Sequence, residues 1–135
     1  MTGEQRAALI AAATEARGNA YAPYSKFAVG AAVLTASGEV YGGCNVESAS
    51  YPLVCCAERV AIYKAVCDGH REIVCVVVLT DTQPPAAPCG GCRQVILEFG
   101  PRAQVICANP AGEERVMGME TLLPFGFGGG DLPGQ

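Results

Sequence analysis

Apolar residues recur along the chain with two different periods. Thr2-Gly3-Glu4-Gln5 has the spacing of a helix capping box, and the Ala-rich segment after it, as far as Gly18-Asn19, predicts a first helix. Tyr21-Ala22-Pro23-Tyr24-Ser25-Lys26 is then a loop, since Pro23 forbids helix continuation. From Phe27 to Ala36 both alternating sets are apolar, with Phe27, Val29, Ala31 and Val33 on one side and Ala28, Ala32 and Leu34 on the other. A strand of that kind is covered on both faces. Ser37-Gly38 turns the chain into a second strand, Glu39 to Glu47, forming a hairpin.

Ser48 to Val54 is a loop containing Pro52, and a second helix runs from about Cys55 to Asp68, where Gly69 stops it. Glu72 to Thr80 holds the apolar run Ile-Val-Cys-Val-Val-Val-Leu and reads as a fully buried strand. A Pro-rich loop, Asp81 to Ala87, leads to a third helix from Pro88 or Cys89 to Phe99, ended by Gly100-Pro101. Ala103 to Ala108 is another strand, Asn109 to Gly112 a turn and Glu114 to Met117 a short strand. Glu120 to Leu123 is a helical turn, and the Gly-rich end is irregular. Helices alternating with five strands predict a three-layer α/β domain. No repeat or boundary divides residues 1–135, so one domain is expected.

Composition sharpens this picture. Half the residues are apolar and 16% are charged, against roughly 25% in an average domain. So small a domain cannot hide that much apolar surface alone, which predicts a subunit interface, although a surplus of Ala and Gly also produces such a figure. The net charge is −4, with Lys26 and Lys64 the only lysines and seven scattered arginines. A protein that grips phosphate backbones shows a basic face, so the partner expected here is a small molecule and not nucleic acid. The N-terminus has no basic region leading into an apolar core, and the run Ile73 to Leu79 is too short to cross a bilayer. The expectation is a cytoplasmic protein with no membrane partner, its eight cysteines reduced and used for metal or core.

Two short stretches carry chemistry: Cys55-Cys56-Ala57-Glu58-Arg59 and Pro88-Cys89-Gly90-Gly91-Cys92. Cys89 and Cys92, three apart at a helix start, present both thiols from one face. Cys56 opens a different helix and supplies a third thiolate. Helix N-termini favour thiolate over thiol. Zinc enzymes hold three protein ligands and leave a fourth position for water, and a carboxylate that is not a ligand moves that water's protons. Glu58 is that carboxylate, provided the site lies at the helix tip where residues two apart can both reach it. Three thiolates on Zn²⁺ carry a net charge of −1, and Arg59, on the face of Cys56, offsets it by donating to sulfur. The single histidine, His70, follows the helix-ending glycine and reads as a surface residue.

C-A-E followed by P-C-x-x-C resembles the zinc nucleoside and nucleobase deaminases. The likeness extends to Tyr21 through Phe27, Gly43-Cys44-Asn45-Val46-Glu47, Cys56 through Arg59, Pro88 through Gln94, and Leu122-Leu123-Pro124 through Phe127. In that order and spacing they are similar to the small homotetrameric cytidine deaminases. The resemblance implies an α/β/α sandwich with a central mixed five-stranded sheet. It implies one Zn²⁺ per subunit, held by Cys56, Cys89 and Cys92, and hydrolytic deamination of cytidine and 2′-deoxycytidine to uridine and 2′-deoxyuridine. Glu58 takes the water's proton, protonates N3 and then passes a proton to the departing amine. Asn45 and Glu47 hold the ribose, with the carboxylate on the 3′-hydroxyl. The Ala57 amide binds the base carbonyl oxygen and Phe27 packs on the base. Ala49, Tyr51 and Phe127 reach a neighbour's site in a homotetramer.

Two alternatives stand beside this reading. A blasticidin S-type deaminase shares the zinc motifs, but Glu47 beside Asn45 favours a ribose-bearing substrate. A non-catalytic zinc-stabilised module needs four protein ligands, and Cys55 is the cysteine that could supply the fourth.

Overall fold

The computed structural model describes residues 1–134. Helix α1 spans Gly3–Arg17, and its capping box is closed on both sides: Thr2 Oγ1 accepts from the Gln5 amide at 3.0 Å and Gln5 Oε1 from the Thr2 amide at 2.9 Å. Strands β1 (Val29–Thr35), β2 (Val40–Cys44), β3 (Ile73–Thr80), β4 (Gln104–Ala108) and β5 (Glu114–Met117) form one sheet in the order β2-β1-β3-β4-β5. The β3–β4 pair is parallel and the others are antiparallel, so the sheet is mixed. Helices α2 (Ala57–Cys67) and α3 (Gly90–Phe99) follow β2 and β3, and α4 (Met119–Leu122) follows β5.

Alternation along the strands builds both outer layers. Ala32 and Leu34 of β1, Cys75, Val77 and Leu79 of β3 and Ile106 of β4 pack with Leu9 and Ala13 of α1. Their neighbours Ala31, Val33, Val76, Val78 and Val105 pack with Ala57, Ala61 and Ile62 of α2 and Ile96 of α3. The three-layer α/β/α expectation therefore stands. Close approach depends on small residues at one contact in particular. A Cβ on Gly43 would lie 2.6 Å from the Ala61 nitrogen and 2.7 Å from the Ala57 carbonyl oxygen, so β2 and the first turns of α2 touch backbone to backbone.

Four local expectations are corrected. Strand β1 starts at Val29 and not Phe27, and β2 ends at Cys44 and not Glu47. The Asn45 side chain takes the ladder's place there, while Val46 pairs with Tyr21 and Cys55 in isolated bridges. The loop before α2 contains a 3-10 turn, Tyr51–Leu53, and the Gly-rich end another, Gly129–Asp131, where the Gly128 amide donates to Asp131 Oδ2 at 2.8 Å.

Candidate active site

Strands β2 and β3 run the same way, each antiparallel to β1, so their C-terminal ends share one edge of the sheet. Helices α2 and α3 therefore begin side by side at that edge, where α/β folds place their ligand sites. Cys56 is the N-cap of α2 and Cys89 the N-cap of α3, both in extended backbone, and Cys92 lies buried in the first turn of α3. The two positive helix ends converge on three sulfurs.

The Sγ atoms of Cys56, Cys89 and Cys92 all lie within 4.8 Å of one another, with Cys56 and Cys89 3.8 Å apart. A tetrahedral zinc with Zn–S bonds of about 2.3 Å needs sulfurs about 3.8 Å apart, so the set fits that ion. One of the three thiols is poised to ionise. Cys56 is drawn down to about 5, first by a hydrogen bond from Cys92 and then, against burial, by the Arg59 guanidinium and Cys89. Cys92, donating to it, is pushed up. Arg59 Nη2 lies 3.4 Å from Cys56 Sγ and 3.3 Å from the Val54 carbonyl, where the sequence places a sulfur donor. No fourth His, Cys, Asp or Glu atom joins the set among the described residues.

Glu58 is 4% exposed. Burial raises its proton affinity; its own backbone amide pulls the other way, and the Cys56 charge adds to the rise. Cys56, Ala57, Glu58 and Cys89 line one end of a cleft of about 320 Å³, and Phe27, Asn45 and Glu47 line it as well. The Ala57 amide, in the first turn of α2, has no intrahelical acceptor and is free for a ligand group. Asn45 is largely committed to the backbone: Oδ1 accepts from the Val29 amide at 2.9 Å and Nδ2 donates to the Phe27 carbonyl at 2.8 Å. One N–H of its amide remains. Glu47 accepts from the Tyr24 and Ser25 amides, 3.0 Å each, and from the Ser25 hydroxyl.

Seven of the residues singled out in the sequence thus line one cleft, with the Cys92 sulfur beside those of Cys56 and Cys89 and Arg59 on the Cys56 sulfur. Ala49, Tyr51 and Phe127 do not line it; all three are exposed. Cys55 lies on the other side of α2, in a separate groove with Tyr41 and Tyr63, so it is not the fourth ligand that a structural zinc site needs. His70 is also outside the cluster, against Tyr41 and Ser37. Sequence reasoning missed Ser25, Val54, Thr80, Ala86 and Ala87 in the cleft wall. Ser25, Ala86 and Ala87 sit in loops without periodicity, and Thr80 reads as one more buried strand residue.

Residues 3–108 match the family model for the cytidine and deoxycytidylate deaminase zinc-binding region. The chain is 46% identical over 125 residues to a cytidine deaminase of Sporosarcina psychrophila, covering 92% of each. It is 44% identical over 128 residues to one from Halalkalibacterium halodurans, covering 94% of this chain and 97% of the relative. The crystal structure of cytidine deaminase from Burkholderia pseudomallei is similar at a TM-score of 0.87 and 48% identity, covering 94% of this chain and all of that one.

Proposed function

The chain belongs to the cytidine and deoxycytidylate deaminase family, and on that premise we propose how its cleft hydrolyses cytidine and 2′-deoxycytidine to uridine, 2′-deoxyuridine and ammonia. The observation that carries this reading is a buried carboxyl, Glu58, beside a three-thiolate cluster in a cleft whose other residues suit a nucleoside. Zinc held by Cys56, Cys89 and Cys92 supplies the Lewis acidity that makes water a strong nucleophile near neutral pH.

The protein's own groups do the rest. Glu58 takes one proton from the attacking water as its oxygen adds to C4, and delivers that proton to N3. It then carries the second proton to the exocyclic nitrogen. The C4–N bond breaks, ammonia leaves, and C4 keeps the oxygen as a carbonyl. Burial suits this shuttle, because it raises the proton affinity of the carboxyl and so helps Glu58 to hold the proton between taking and returning it. The Ala57 amide holds the base carbonyl oxygen, Phe27 packs on the base, and Asn45 with Glu47 holds the sugar, the carboxylate on the 3′-hydroxyl. Arg59 offsets the thiolate charge through Cys56.

The assembly is a homotetramer in which Ala49, Tyr51 and Phe127 complete a neighbour's cleft. Their exposure and their absence from their own cleft support this. The compartment is the cytoplasm: all eight cysteines are free, and among the described residues no helix is long and apolar enough to cross a membrane.

The test is uridine formation from cytidine by zinc-loaded protein beside Glu58→Ala. Wild type turns over. Glu58→Ala retains zinc but loses about 10²–10⁴-fold or more in kcat, the range of a general acid/base. Full activity in Glu58→Ala, or no uridine from zinc-loaded wild type, overturns the proposal.

A further inference from the structure

Ser25 has no part in the reaction as described, yet it touches two of the residues that hold the substrate. Its hydroxyl donates to Glu47 Oε2, and Ser25 Oγ itself accepts from the Phe27 amide at 3.0 Å. Lys26 makes the second contact possible. At φ 61° it reverses the chain between Ser25 and Phe27, a left-handed conformation that a residue with a Cβ adopts only against steric cost. On the far side of Phe27, Asn45 Nδ2 donates to its carbonyl at 2.8 Å. The Phe27 backbone is therefore held at its N–H by Ser25 and at its carbonyl by Asn45, and Ser25 joins that unit to Glu47.

An ionised carboxylate offers about four acceptor positions. On Glu47 the Tyr24 and Ser25 amides fill two on Oε1, and the Ser25 hydroxyl fills one on Oε2. About one is left, on the oxygen that Ser25 holds. We propose that Ser25 is a positioning residue. Its hydroxyl fixes the Glu47 carboxylate and the Phe27 backbone in one register, so that sugar hydroxyl and base are read together. This rests on the reading of Glu47 as the acceptor of the sugar 3′-hydroxyl.

The experiment measures kcat and KM for cytidine and 3′-deoxycytidine with zinc-matched wild type, Ser25→Ala and Ser25→Thr. Losing a charge-assisted bond raises the KM of Ser25→Ala for cytidine about tenfold, with kcat within about twofold. On 3′-deoxycytidine, which has no hydroxyl for Glu47 to accept from, the penalty shrinks to about twofold. Ser25→Thr, which keeps the hydroxyl, recovers most of the loss. Equal penalties on both substrates, or no recovery in Ser25→Thr, overturn the inference, because a merely structural serine affects both substrates alike. Wild-type indifference to the 3′-hydroxyl instead removes the reading of Glu47 itself, and the role of Ser25 with it.

Discussion

Glu47 accepts three hydrogen bonds from the Tyr24-Ser25 turn, and these decide how it responds to acid. The Ser25 hydroxyl, the Ser25 amide, the Tyr24 amide and the Lys26 charge hold its carboxyl below the usual carboxylate range. A depressed value means that the anion is fully present above the ordinary value, about 4.3, and is lost only as pH falls through the lowered one. In a Glu58→Gln background, where the other carboxyl of the cleft does not titrate, binding of the product uridine, measured by calorimetry, is therefore level as pH falls from 7 to about 5. In Ser25→Ala, where the chief cause of the depression is gone, weakening sets in at higher pH. Coincident profiles for the two proteins contradict this. The residues gathered at the cleft and the cysteine cluster were legible because each stands out against its run: Cys56 with Glu58, the C-x-x-C, and Asn45 with Glu47 after an apolar strand. Ser25 was not legible. In a Pro-Tyr-Ser-Lys loop its hydroxyl looks like that of any turn, and its partners depend on the backbone angle of Lys26 and on a residue 22 positions away.

The elements were readable wherever a local signal and burial agree. The capping box set the start of α1, two-sided apolar alternation marked β1 and β3, and Gly69 and Gly100 closed α2 and α3. Strand ends were less readable, because β2 stops where the Asn45 side chain substitutes for the ladder, a tertiary choice. The β3–α3 loop depends on such choices throughout. Thr82 Oγ1 donates to the Pro84 carbonyl at 2.9 Å, so the Thr80 hydroxyl donates to Thr82 at 2.9 Å and accepts from the Ala86 amide at 3.1 Å. Asn109 Nδ2 holds the same loop through the Thr82 carbonyl at 2.9 Å. Cys89 follows three residues after Ala86, so these bonds set where α3 begins. Thr80 is 2% exposed, and Thr80→Val keeps its volume while leaving the Ala86 amide without an acceptor. That change costs about 1–2 kcal/mol, read as a lower urea midpoint, and it hastens zinc loss to a chelator. Thr80→Ser recovers both; a Val variant as stable as wild type contradicts the role given to the loop.

At the scale of the whole molecule, the apolar half of the composition is not all absorbed by the two cores. Tyr51 and Leu53 are 70% and 72% exposed, and Phe125 and Phe127 stand out from the tail. A groove of about 490 Å³ on the outer side of α2 has Tyr41, Cys55, Val60, Tyr63 and Cys67 in its wall, with Lys64 and Asp68 as its charged residues. Scattered apolar residues need no explanation, but several aromatics and a groove on one small chain call for a cover. In the assembly proposed above a second copy is that cover, and it would also account for Ala49, Tyr51 and Phe127 lying outside their own cleft. Gln94 Nε2 donates to the Phe127 carbonyl at 2.7 Å, so the tail is tied to the helix that carries Cys92. Sedimentation is expected to give a particle near four times the 13.9 kDa chain mass, with specific activity falling as dilution dissociates it. Glu58→Ala supplies a sound neighbour but no proton shuttle, and Phe127→Ala the reverse. Dissociating the two weak variants together and reassembling them restores activity above that of either alone, because some clefts then pair an intact Glu58 with a neighbour's intact Phe127. A stable, fully active monomer, or no gain on mixing, contradicts the shared cleft and leaves each chain to work by itself.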